Sequence, residues 1–121
     1  MQPSQRGKIL RLSSSYPLDH PMDSSLDNFI LSLDSGVPPP FATPTLRTVW
    51  HGLRGDWESA HDLAGGHDDP DFAWVHAWLH RIEGDPVNAE YWYQRAGRAP
   101  RTDATRDEGL DIARELIAQM A

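Results

Sequence analysis

The chain has 121 residues, the size of one small domain, and its 18 acidic against 11 basic side chains leave a formal net charge of -7. That balance disfavours capture of nucleic-acid phosphate or of an anionic membrane, so neither is expected as a partner. The absence of cysteine excludes disulfide frameworks, thiolate metal clusters and cysteine nucleophiles.

Residues 1–41 read as an amino-terminal arm. Its first stretch holds Arg6, Lys8, Arg11 and the Ser13-Ser14-Ser15 run, and is expected to be disordered rather than a targeting signal, because Pro3 and Pro17 confine any amphipathic helix. No apolar run approaches the roughly 20 residues that span a bilayer, so a soluble, cytoplasmic protein is expected. Leu26, Phe29, Ile30 and Leu33 then fall at i, i+3, i+4 and i+7, which predicts a short helix over 24–35. Gly36 stops it, and Pro38-Pro39-Pro40 follows as a stiff strap. The helix of the arm is expected either to cap the rest of the chain or to join a second copy in a homo-oligomer.

From residue 42 the punctuation is regular. Thr43-Pro44, Asp69-Pro70 and Asp85-Pro86 each place a capping side chain before a first-turn proline, the signature of a helix start. The helices so begun carry Leu46, Val49, Trp50 and Leu53, then Phe72, Val75, Leu79 and Ile82, then Val87, Ala89, Tyr93 and Ala96. Between the first two, Asp56 opens a short helix with Trp57, Ala60, Leu63 and Ala64 inward. The third of these four helices also presents Trp74 and Trp78 on a second side, so it should lie centrally, covered by its neighbours. Thr105 to Glu108 reads as a capping box before a final helix with Leu110, Ala113, Ile117 and Met120 on one face. Sustained period-two alternation is absent, and an all-α fold with a helical body over 42–121 is predicted.

An offset of twenty-nine residues pairs His51 with His80, Gly55-Asp56 with Gly84-Asp85, and Ala60 with Ala89. Two helix-turn-helix hairpins account for this: glycine supplies a left-handed residue, aspartate caps the next helix, and the small alanine lets the pair approach. Within the second unit, Ala77, Gly84-Asp85, Ala89, Tyr93, Ala96 and Pro100 resemble the tetratricopeptide-like repeat, and Trp92-Tyr93-Gln94-Arg95-Ala96 resembles the second helix of related short-repeat solenoids. His80 and His76 stand where that family places an aromatic and a leucine. The resemblance covers residues 43–100 and implies a non-catalytic module that binds a protein or peptide partner. It is associational, because fold likeness does not fix function.

The partner-contacting residues expected on that basis are Trp74, Trp78, Trp92, Tyr91, Arg95 and Arg98: aromatics left over by a thin core, with cations to hold an acidic peptide. Histidine is the other candidate chemistry. His76 and His80 are four apart on one helix, the spacing at which two imidazoles share a metal, with His51 or His61 as a third nitrogen. The bland account is interior histidines bonded to carbonyls, acids or indoles, so no cofactor is expected, with zinc or another transition metal as the alternative. The acidic run His67-Asp68-Asp69-Pro70-Asp71 lacks the alternating ligands of a calcium loop and is read as helix capping. There is no phosphate loop or nucleophile elbow, so no catalytic set is assigned.

Overall fold

Three helices start on the expected cap and proline. Thr43 accepts the Leu46 N–H before α2 (Pro44–Leu53), Asp69 accepts that of Phe72 before α4 (Pro70–Glu83), and Asp85 accepts that of Asn88 before α5 (Pro86–Ala96). In each case the proline occupies a position whose N–H has no partner within the helix, so nothing is lost. These elements belong to a computed structural model that describes residues 21–67 and 69–120. With α1 (Pro21–Ser35), α3 (Trp57–Ala64) and α6 (Thr105–Gln119), the described residues form six helices and no strand. The fold is all-α, and no helix among the described residues is long and apolar enough to cross a membrane. α1 begins three residues ahead of its expected start, and the disorder expected for the first residues lies outside the described ones.

Gly55 and Gly84 end α2 and α4 with φ of +81° and +85°, a conformation that costs glycine nothing and other residues much. The chain reverses there, so α2 packs on α3 and α4 packs on α5, while α3 also meets α4. Ala60 and Ala89 are buried at these helix contacts. Every residue of α4 from Phe72 to His80 is buried, as expected of a helix apolar on two sides. The helix of the arm packs on its own chain: Phe29 is fully buried, the Trp50 indole donates to Ser32 Oγ at 2.9 Å, and Arg54 donates to the Leu33 carbonyl at 2.5 Å.

α6 departs from expectation. It lies across α2 and α4 and also meets α1. Glu108 does not close a capping box; its side chain turns into the core, and the buried face is Ile112, Ala113, Leu116 and Ile117, with Leu110 half-buried and Met120 exposed. The Trp78 indole fixes this crossing. Its N–H donates to the Thr105 carbonyl at 2.7 Å, and its ring fills the slot between Gly52 of α2 and Gly109 of α6. A Cβ on Gly109 would stand 2.5 Å from Trp78 Cζ2 and 2.7 Å from Leu53 Cδ2. Gly109→Ala is therefore expected to destabilise by about 1–3 kcal/mol in urea unfolding, the helix propensity gained being outweighed by overpacking.

Candidate metal centre

α4 and α3 bring three imidazoles together. His76 and His80 lie one turn apart on α4, their rings parallel within 13° and 5.1 Å between centroids. Across from them, the Trp57 indole donates to the Leu79 carbonyl at 2.7 Å and locks the first turn of α3 against α4. One turn further along α3, His61 places its Nε2 3.2 Å from His76 Nε2. One ring nitrogen from each of His61, His76 and His80 falls within 4.8 Å of the others. Indoles back two of the rings: Trp57 stacks on His61 at 4.6 Å and 11°, and Trp92 of α5 stacks on His76 at 3.9 Å and 10°. Glu83, at the end of α4, holds His80 Nδ1 at 2.7 Å. A carboxylate on Nδ1 fixes the imidazole in the tautomer that leaves the Nε2 lone pair free.

Burial first, and then the neighbouring His80 and His61, lower the His76 pKa to about 4. Taking a charged imidazole out of water is costly, and two more imidazoles nearby cannot share the charge. His76 is therefore neutral at physiological pH, the protonation state a metal requires. Its Nδ1 is buried without a hydrogen-bond partner in the protein, and the nitrogen it turns toward His61 is Nε2. A stability consequence follows for metal-free protein. The unfolded chain takes up this proton near the ordinary histidine value and the folded chain only near 4, so stability is lost as pH falls between the two, by about 2 kcal/mol after solvent screening. Urea midpoints against pH should fall more steeply for the parent than for His76→Asn.

His51, offered by spacing as an alternative third ligand, is not in this group. It stands edge-on to Trp50 at 5.1 Å, with Nδ1 3.4 Å from the Asp56 carboxylate. Two of the expected partner-contacting residues are corrected by burial. Trp74 is 3% exposed and Trp78 1%, because α6 covers the helices that carry or flank them. Arg98 lies over the Trp74 ring at 3.5 Å and bonds Glu115 at 2.5 Å, so its charge is already matched. Trp92 is half-buried and Tyr91 exposed, with Arg95 above both at 5.5 and 5.8 Å. In the acidic run, Asp69 caps α4 as expected and His67 stacks on Phe72 at 4.1 Å; Asp68 lies outside the described residues.

A second polar cluster holds α4, α5 and α6 in register. Glu108 is fully buried, accepting from the Trp74 indole at 3.0 Å and from Arg81 at 2.5 Å, with the Tyr93 hydroxyl 2.6 and 2.8 Å from its two oxygens. Arg81 also donates to the Asp103 carbonyl. Burial pushes the Tyr93 phenol up, and its bond to Glu108 adds to the rise, so Tyr93 stays a donor. With every group of this cluster paired internally, its geometry is that of a structural tie. Sequence reading missed Glu83, Trp57 and Glu108 as polar anchors; only Glu83 had a local signal, standing three residues from His80 on the same helix. Comparison with protein-family models, with curated proteins and with solved structures found no match.

Proposed function

We propose that this protein binds a first-row transition metal, zinc or copper in character, through His61, His76 and His80. The observation that carries this is the 3.2 Å separation of His61 Nε2 and His76 Nε2. In a tetrahedral site with metal–nitrogen bonds of about 2.0–2.1 Å, two ligand nitrogens stand about 3.3 Å apart. The metal-free pair meets at nearly that spacing through one N–H···N hydrogen bond, so loading asks only that the donor ring's proton pass from Nε2 to its own Nδ1, with no helix moved. A ring nitrogen of His80 stands within 4.8 Å of a ring nitrogen of each of the two. An all-imidazole set without thiolate suits zinc, copper or nickel and not calcium or magnesium.

Comparison of the two hairpins adds support. At the twenty-nine-residue offset, His80 matches His51, but His76 stands against Arg47, Glu83 against Arg54, and Trp92 against Leu63. His61, in the first hairpin, stands against Glu90, so apart from His80 the groups of the cluster come from positions at which the two hairpins differ. Elemental analysis of untagged full-length chain tests the reading: one metal per chain supports it, and none, with no effect of added zinc on melting, removes it. Glu83→Gln keeps a hydrogen-bond acceptor but loses the charge that orients His80. Its metal affinity is expected to fall about 10-fold, within the range for outer-shell partners, as read by competition with a chromophoric chelator.

A second reading, the peptide-binding module implied by the tetratricopeptide-like resemblance, draws on one surface. On the outer side of α5, Val87 is 79% and Tyr91 52% exposed, with Arg95 above Tyr91, the kind of apolar strip that a partner covers. A photo-crosslinker at position 91 gives a discrete heteromeric adduct on this reading, and none if the strip is only solvated surface.

A further inference from the structure

We infer that the metal held by His61, His76 and His80 keeps one coordination position open, and that its ligand there is water or a small single-donor anion such as hydroxide or azide. This rests on the metal-binding reading above. Among the described residues no fourth histidine nitrogen or carboxylate oxygen joins the group. The adjacent carboxylate, Glu83, is bonded to Nδ1 of His80, where it orients a ligand instead of being one. Three protein ligands with a vacant fourth position are the pattern of reactive zinc sites, whereas structural sites are closed by four.

The placement within the fold agrees. The three histidines come only from α3 and α4, which already pack on each other and are joined by the Trp57–Leu79 hydrogen bond. A metal here joins two helices that are already in contact. His76 and His80 are buried, but His61 is half-exposed, so the vacant position has an approach past His61, while Trp57 and Trp92 back the His61 and His76 rings. Three neutral imidazoles leave the full divalent charge on the metal, which favours an anion in the fourth position and acidifies a bound water.

Cobalt(II) in place of the native metal reports coordination through its visible d–d bands. The full chain loaded with one equivalent of cobalt is titrated with sodium azide, with His76→Ala and His51→Ala treated alike. The expected result is a saturable azide-dependent change of the bands in the parent and in His51→Ala, with no comparable cobalt spectrum in His76→Ala. Stripping the metal with chelator should leave the helical circular dichroism unchanged. A cobalt spectrum that requires His76 but ignores azide overturns the open position and leaves the metal reading standing, as does loss of helical signal on chelation. Failure of the parent to take up cobalt, zinc or copper overturns both.

Discussion

Glu108→Ala should cost about 3–5 kcal/mol of folding stability, the largest single-residue loss expected in this chain. Removing the carboxylate strands the Arg81 guanidinium, the Tyr93 hydroxyl and the Trp74 indole N–H, all of which converge on it from α4 and α5. The cost is this large because the buried Tyr93 hydroxyl and Trp74 indole lose their acceptor together, while Arg81 keeps only the Asp103 carbonyl and carboxylate. Against a typical domain stability of about 5–15 kcal/mol, that is a large share of the total. Glu108→Gln retains an acceptor for Tyr93 or Trp74 and should lose less. Replacing the pair together, Glu108→Leu with Arg81→Met, should recover part of the loss, because apolar packing of similar volume dispenses with desolvation altogether. Urea unfolding of the four proteins checks the order. Equal midpoints for the parent and Glu108→Ala would show that the carboxylate is not a tie between helices.

The second large effect concerns the metal. His76→Ala should weaken zinc binding by at least about 100-fold, more than loss of an outer-shell partner costs, since it removes the central nitrogen of the three. At zinc concentrations 100 times the parent's dissociation constant, the parent gains about 2.7 kcal/mol of stability and the variant at most about 0.4 kcal/mol. For a domain of this size the parent's gain is a rise in melting temperature of about 10 °C. His51→Ala should behave as the parent, because His51 faces Asp56 and Trp50 and has no place in the triad. A zinc-dependent shift that survives in His76→Ala and disappears in His51→Ala would place the metal elsewhere.

Local chemistry was legible in the sequence and tertiary choice was not. Helix starts at Pro44, Pro70 and Pro86 could be placed because cap and proline act within one turn, and the His76–His80 pair because a helix puts i and i+4 on one face. The third histidine could not be chosen that way. Repeat register aligns His51 with His80 and makes it the obvious companion, but α3 docks so that His61, one turn past Trp57, meets His76 instead. Glu108 was hidden by ambiguity: Thr-x-x-Glu is a capping box when a helix start faces water, and the same glutamate is a core anchor when that start is pressed onto Trp74 and Arg81. The burial of Trp74 and Trp78 depended on α6 lying across α2 and α4, which no periodicity in α6 announces. Exposed indoles would have been the right expectation for two hairpins alone.

The most direct test of a histidine-centred metal site is native mass spectrometry of untagged full-length protein with equimolar zinc, run beside His61→Ala, His76→Ala and His80→Ala. One tightly held zinc per parent chain, lost in all three variants while their helical content is kept, is the expected result. A parent that binds no zinc, or binds it equally well without these histidines, would contradict it.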